Sequence, residues 1–136
     1  MTTYLLDSNT ISFIMEKRPR VLSRLDAAMQ SDWLITCTIV RGEILYGLER
    51  MPQGRKRQLA EAEASVAFEY VQCEAVPERA ADIYARIKRD AELDGTAQGE
   101  NDLWIAATTL ALDAVLVSSD TDFRRVRGLP LEDWLA

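Results

Sequence analysis

Histidine is absent from this chain of 136 residues, and its absence narrows the chemistry that the protein can perform. Ser-His-Asp and Cys-His nucleophilic catalysis are excluded, as are the common zinc sites. Acid–base or metal chemistry must therefore depend on the 22 aspartate and glutamate residues. Carboxylates prefer hard cations such as Mg²⁺ or Mn²⁺.

Cysteines and long apolar runs are also scarce. Cys37 and Cys73 lie far apart among apolar residues, which favours buried free thiols over a disulfide. No apolar run approaches the ~18 residues of a membrane span, and the N-terminus lacks a signal-peptide pattern. We therefore expect a cytoplasmic protein without membrane contact. The net charge of −6 counts against broad electrostatic capture of nucleic acid, although bound cations can reverse the sign of a local site.

The order of the apolar segments predicts an α/β fold. The chain has the length of one ordinary domain, and its 48% apolar and 28% charged residues are typical of globular proteins. Short apolar runs alternate with segments of helical periodicity, which predicts a parallel sheet with helices on both faces and right-handed crossovers. The predicted strands lie near residues 4–6, 33–36, 70–76, 114–117 and 129–135.

Helical spacing also predicts which side chains face the core. In the helix predicted over residues 55–70, one stripe is expected to be buried rather than to bind a cofactor. A loop is predicted over 95–100, followed by a helix that Asn101 can cap. The stripe expected to be buried in the helix over residues 55–70 consists of Leu59, Ala62, Val66 and Tyr70.

Acidic residues from four segments are expected at one edge of the sheet. Asp7 and Asp120 follow apolar strands, whereas Glu43 and Asp102 fall in the opening turns of helices. The carboxyl ends of parallel strands and the starts of crossover helices share an edge, so these side chains should converge, with Asp122 as a candidate fifth. Close carboxylates repel one another, and a bound cation is the simple reason to gather them.

Two alternatives to metal-dependent catalysis remain open at this point. Acids are common at helix starts and in turns, so Asp7 or Ser8 could merely cap the following helix, as expected for a catalytically silent binding module. Residues 7–10 also nearly match the aspartyl-nucleophile motif of haloacid-dehalogenase-like phosphatases. That motif has a second aspartate, the general acid, where this chain has Asn9.

The acidic segments resemble the motifs of the PIN-domain family, in the family's order. The resemblance extends over nearly the whole chain, and the closing residues 128–134 resemble the tail of VapC-type toxins in that family. Each motif is weak alone, whereas four in order are fairly specific. They lie at residues 5–9, 40–44, 101–107 and 118–123.

The resemblance implies a fold and a function. The fold would be a single three-layer PIN-like domain over residues 1–136. The function would be that of a Mg²⁺- or Mn²⁺-dependent endoribonuclease, the toxin of a VapBC-type toxin–antitoxin module, which cleaves RNA by metal-activated water. The enzyme would be a homodimer, inhibited by a VapB-type antitoxin and in contact with DNA only through it. The antitoxin's C-terminal segment would present Arg or Lys to the acids, anchored by apolar residues between the early helices.

The same resemblance assigns roles to individual residues. It implies catalytic, metal-binding roles for Asp7, Glu43, Asp102 and Asp120, with Asp122 as a further metal ligand that could exchange roles with Asp120. Ser8 matches a hydroxyl position beside the first acid. The nearest candidates for phosphate contacts, or else members of a solvated turn, are Arg124, Arg125 and Arg127.

Overall fold

A short apolar run near the N-terminus forms the central strand of the sheet. The computed structural model describes residues 1–96 and 98–136. Within them, five parallel strands lie in the order β3-β2-β1-β4-β5. Leu5 and Leu6 of β1 are fully buried because β1 is the central strand and helices cover both faces of the sheet. The strands are β1 (Thr3–Leu6), β2 (Trp33–Cys37), β3 (Gln72–Glu74), β4 (Val115–Val117) and β5 (Leu131–Glu132).

Pairs of helices connect the first four strands. With right-handed crossovers, α1 to α4 cover one face of the sheet, and α5 and α6 cover the other. The predicted three-layer α/β architecture with a parallel sheet is confirmed. The helices are α1 (Ser8–Met15), α2 (Pro19–Ser31), α3 (Thr38–Glu49), α4 (Arg55–Glu69), α5 (Arg79–Asp94) and α6 (Glu100–Ala111), and a 3₁₀ helix spans Thr121–Arg125.

The strand order reverses between β1 and β4. From β1 the chain proceeds outwards to β2 and β3, and it then returns to the other side of β1 to form β4 and β5. In open parallel sheets, ligands bind beyond the carboxyl ends of the strands at this kind of switch point. Leu6 lies opposite Val117 in the register, so Asp7 and Ser118 are the first residues beyond that edge.

Two buried threonine hydroxyls hold the carboxyl ends of the strands together. Thr10 of α1 donates to the carbonyl of Val117 at 2.9 Å. Thr36 of β2 donates to the carbonyl of Leu6 at 2.8 Å. Because buried polar groups are costly without partners, these bonds favour one register of β2, β1 and β4.

The C-terminal residues close the sheet beside β5. Trp134 is buried and contacts the edge of the Tyr4 ring, with centroids 5.4 Å apart. Arg24 of α2 lies over the Trp134 ring and forms a 2.7 Å ion pair with Glu132. These contacts attach α2 to the last strand.

The predicted core stripe of α4 is wrong. Leu59 is 61% exposed and Val66 is 53% exposed, whereas Ala64 and Ala67 are buried instead. The small alanines permit close packing of α4 against α1, which turns the larger apolar side chains outwards. None of the helices in the described ranges combines the length and apolarity needed to cross a bilayer.

Cysteine burial was predicted correctly for only one of the two residues. Cys37 is a buried free thiol, whereas Cys73 is a free thiol exposed on the edge strand β3. Pro19 is the first residue of α2, a position that tolerates proline. The loop predicted over 95–100 contains Ala97, which lies outside the described residues.

Candidate active site

Asp7 occupies the junction between β1 and α1. It is the N-cap of α1, and its Oδ1 accepts a 2.8 Å hydrogen bond from the amide of Thr10. Only 3% of Asp7 is exposed. Burial raises the pKa of Asp7, and hydrogen bonds from Ser118 and Thr10 oppose part of that increase. Asp7 therefore does cap the helix, but it is also a buried carboxylate whose ionisation is disfavoured.

Glu43 reaches this edge from the second turn of α3. Its Oε1 accepts a 3.0 Å hydrogen bond from the hydroxyl of Ser8. Its Oε2 accepts a longer, 3.4 Å hydrogen bond from the side-chain amide of Asn101. The two donors flank the carboxylate and orient it towards the space between the starts of α1 and α6.

Asn101 is a site residue that the sequence did not reveal. It was expected to cap α6, but that helix begins at Glu100, with Gly99 as its N-cap. Asn101 therefore lies in the first turn, where its side chain contacts Glu43. The only sequence signal was its position next to Asp102, which does not specify the partner in α3.

The pKa of Asp102 reflects the proximity of the other acids. It is half-buried in the first turn of α6. Burial, followed by the negative charges of Asp120, Glu43 and Asp7, raises its pKa to about 6. Carboxylates from three other segments thus act on Asp102, as predicted from the topology.

The structure distinguishes Asp120 from Asp122. Asp120 is the N-cap of the 3₁₀ helix, where its Oδ1 accepts a 2.9 Å hydrogen bond from the amide of Asp122. The carboxylate of Asp122 lies 3.6 Å from the guanidinium of Arg125. Of the four acids that raise the pKa of Asp102, Asp120 has the largest effect and Asp122 the smallest. Asp120 is thus the acid of this segment that acts most strongly on the shared site.

The donor set fits a hard divalent cation. Within residues 1–96 and 98–136, no three acidic or thiol side chains converge closely enough to form a ready-made metal cage. Mutual repulsion keeps carboxylates apart, and Mg²⁺ retains several water ligands while binding one or two carboxylates directly. Oxygen donors without thiols or imidazoles suit Mg²⁺ or Mn²⁺. The residues that could hold such an ion are Asp7, Glu43, Asp102 and Asp120.

Two grooves lie on the helical face formed by α1 to α4, and the first of them reaches the acids through Glu43. The first, of about 270 Å³, extends from Ser8 and Glu43 along α3 to Met51. The second, of about 330 Å³, lies between α1, α2 and α4 and is lined by Val66 and Tyr70 among others. Both side chains were predicted to lie in the core, and their exposure gives this helical face an apolar surface.

Known proteins share this architecture. The family described as PIN domain matches residues 4–129 of the chain. The chain belongs to the PIN-domain family. It is 28% identical to ribonuclease VapC1 of Haemophilus influenzae over 137 residues, which cover 96% of this chain and 97% of the relative. It is 24% identical to ribonuclease VapC2 of Rickettsia felis over 133 residues, with the same coverage of both chains.

Solved structures show the same PIN-domain fold. VapBC2 from Rickettsia felis, bound to a DNA fragment from its promoter, contains a chain with a TM-score of 0.90 and 23% identity, covering 98% of this chain and 99% of that one. VapBC-1 from nontypeable Haemophilus influenzae gives a TM-score of 0.86 at 26% identity, covering 99% and 100%. The predicted family resemblance is therefore confirmed.

Replacing Asp7 with Asn should raise the melting temperature in EDTA. Asparagine can accept the same hydrogen bond from Thr10, so the cap is retained while a buried charge is removed. We expect an increase of a few degrees, about what 1 kcal/mol produces in a domain of this size. Mg²⁺ at about a hundredfold excess over Kd should stabilise the unmodified protein by about 2.7 kcal/mol and the variant much less. A variant that melts lower in EDTA would instead identify Asp7 as mainly a structural cap.

The raised pKa of Asp102 predicts a pH dependence of stability. The folded protein binds this proton more tightly than the unfolded chain, whose aspartate has a pKa near 3.8. The contribution of Asp102 to the free energy of unfolding should therefore decrease as the pH rises from about 4 to about 6, and then stay constant. Denaturant unfolding in EDTA should show a steeper decrease over this range in the unmodified protein than in Asp102→Asn, which keeps the contribution of other groups such as Asp7. Asp113→Asn, an exposed residue beyond the opposite end of α6, is the control and should retain the steeper decrease.

Proposed function

We propose that this PIN-domain protein is a divalent-metal-dependent endoribonuclease and the toxin of a VapBC-type toxin–antitoxin module. It acts in the cytoplasm as a single domain over residues 1–136 and forms a homodimer. The observation that carries the proposal is the convergence of the starts of α1, α3 and α6, where Ser8 and Asn101 both donate to Glu43 and where burial and the neighbouring acids raise the pKa of Asp102. The similarity to two proteins named ribonuclease VapC supports RNA as the substrate.

Helix capping alone does not account for the acid cluster. Asp7 and Asp120 accept cap hydrogen bonds, but Glu43 lies in the second turn of α3, and Gly99 rather than Asp102 occupies the N-cap of α6. The helix dipole would favour Asp102 in its first turn, but a silent binding module would leave the placement of Glu43 unexplained. Membership in the PIN-domain family likewise gives no support to a haloacid-dehalogenase-like phosphatase.

The proposed ligands are Asp7, Glu43, Asp102 and Asp120, with Asp122 as the alternative to Asp120. Mg²⁺ or Mn²⁺ bound there would acidify water for attack and neutralise the charge that develops on the scissile phosphate. Ser8 and Asn101 orient the Glu43 carboxylate between them.

Backbone amides orient Asp7 and Asp120, the two proposed ligands that are N-cap residues. The amide of Thr10 holds one oxygen of Asp7, and the amide of Asp122 holds one oxygen of Asp120. In both side chains the second oxygen is free of that cap bond. Such fixed placement is what positioning a phosphodiester for in-line displacement requires.

Purified protein is expected to cut RNA in Mg²⁺ or Mn²⁺ and to stop in EDTA. Asp120→Asn should lower kcat by about a hundredfold or more, because it removes a charge that stabilises the reacting centre. Asp122→Asn is the matched control two residues away and should lower kcat by less than about tenfold, since its carboxylate faces Arg125. Gel analysis of a panel of structured and single-stranded RNAs measures both effects. Cleavage that persists in EDTA in a preparation free of other nucleases would contradict the mechanism.

An antitoxin segment is the partner that the grooves fit best. The solved structures with this fold include VapBC complexes from Rickettsia felis and Haemophilus influenzae. Here the groove beside Ser8 and Glu43 joins a carboxylate cluster to an apolar surface on the same helical face. An extended peptide with apolar anchors and one Arg or Lys would match both features. Any contact with DNA would be made through that antitoxin.

Val66→Glu should weaken the complex with the antitoxin encoded beside this protein. The substitution places a charge in the groove between α1, α2 and α4, and Val66 is exposed enough for the fold to tolerate it. We expect Kd to increase by roughly tenfold to a hundredfold, as at an interface hot spot. Leu93→Glu on α5 is the control, since Leu93 is also exposed but lines neither groove. Isothermal titration calorimetry measures both values, and a complex that leaves the carboxylates open to solvent would overturn the assignment.

A further inference from the structure

The cations near the acid cluster differ in whether an acid already binds them. Arg127 forms a bidentate pair with Asp94, with N–O distances of 2.8 and 2.9 Å. The guanidinium of Arg125 lies 3.6 Å from the carboxylate of Asp122. Lys88, on α5, binds Glu100 at the start of α6. The charge of each is therefore already compensated in part.

Arg124 differs from its neighbours in the basic turn. Its side chain makes no ion pair or hydrogen bond with any residue in ranges 1–96 and 98–136. It is exposed on the 3₁₀ helix and lines a cavity of about 80 Å³ that also contains Asp120. The remaining lining residues are Ser118, Ser119, Thr121, Leu131 and Asp133.

The cavity is the right size for a phosphate group. A volume of about 80 Å³ equals that of a few water molecules and is too small for a nucleoside. The guanidinium of Arg124 can bind two phosphate oxygens at once. Asp133 and Asp120 add negative charge to the cavity. Oδ1 of Asp133 already accepts hydrogen bonds from Ser119 at 2.6 Å and from the amide of Leu135 at 2.9 Å, and Oδ1 of Asp120 accepts one from the amide of Asp122 at 2.9 Å. Arg124 is therefore the group in this cavity that is suited to a phosphodiester.

We propose that Arg124 is a substrate-positioning residue that binds an RNA phosphodiester next to the one that is cut. This inference rests on the proposed ribonuclease function, because it assigns the phosphate to the substrate of that site. Arg124 and Asp120 line the same cavity, so a phosphate bound by Arg124 places the adjoining stretch of the strand beside the acids. Arg125 is paired with Asp122 and Arg127 with Asp94, and in this proposal neither arginine binds the RNA.

The test compares Arg124→Gln with Arg127→Gln, which removes the same charge three residues away. The probe is a fluorescein-labelled single-stranded RNA that the unmodified protein cuts in Mg²⁺. Fluorescence anisotropy in EDTA gives Kd as a function of salt, and cleavage in Mg²⁺ gives KM and kcat. Arg124→Gln should raise Kd and KM roughly tenfold and change kcat less than about twofold, since it removes binding shared by ground and transition states.

The salt dependence separates a phosphate contact from a general charge effect. For single-stranded nucleic acid, the logarithm of the association constant falls with the logarithm of the salt concentration, with a slope of about −0.7 per phosphate contacted. Arg124→Gln should therefore reduce the magnitude of this slope by about 0.7. Arg127→Gln should leave the slope, Kd and KM close to those of the unmodified protein. Arg124→Lys keeps the charge and should restore the slope, with only part of the affinity because the bidentate contact is lost.

Several outcomes would overturn the inference. One is equal losses in Arg124→Gln and Arg127→Gln, which would indicate a general charge effect. Unchanged RNA binding in Arg124→Gln together with a weaker antitoxin complex would assign the residue to the protein partner instead. If the unmodified protein cuts RNA and Arg124→Gln matches it in Kd, KM and slope, this inference fails while the proposed function stands. Failure of the unmodified protein to bind or cut any RNA tested would overturn both.

Discussion

The pairing of β1 with β4 is the contact on which the arrangement of the acids depends. Leu6 lies opposite Val117 in parallel register, so the chain leaves both strands at the same level of the sheet. Asp7 follows β1 directly, and the loop after β4 carries Asp120 to the same edge. A slip of one residue would move every side chain of β4 to the other face. Thr10 opposes that slip, since its hydroxyl binds the carbonyl of Val117 while its amide binds Asp7.

Burial and mutual repulsion disfavour the ionised forms of the carboxylates gathered at this edge. Burial and neighbouring negative charges raise the pKa of Asp102 to about 6, and burial raises that of Asp7. Perturbed pKa values of this kind cluster at functional sites, where proteins often sacrifice some stability. The cap bond to Thr10 uses only one of the two oxygens of Asp7, so capping is compatible with the role that we propose for this residue. The same negative field would attract a cation or a basic side chain of a partner.

Much of the fold and of the candidate site could be predicted from sequence. Short apolar runs ending in Asp7 and near Asp120 indicated buried strands, and the alternation of strands with helices indicated a parallel sheet. Topology rules then placed the starts of α3 and α6 at the same edge, which brought Glu43 and Asp102 into the set. These predictions succeeded because they depend on backbone direction, which periodicity and chain order determine.

By itself, then, the sequence determined the parallel α/β fold, the family and the sheet edge at which the acids were expected, whereas the tertiary structure decided the strand order and how individual side chains are used. Only the packing of α4 shows that Ala67 is buried while Val66 faces a groove. Only the fold places Asn101 beside Glu43. Only the turn geometry leaves Arg124 without an ion-pair partner among residues 1–96 and 98–136, whereas Arg127 pairs with Asp94. The physical reason is that a side chain meets a different partner when its helix turns about its axis by one residue, or when the side chain rotates about one bond. Neither change alters the sequence pattern.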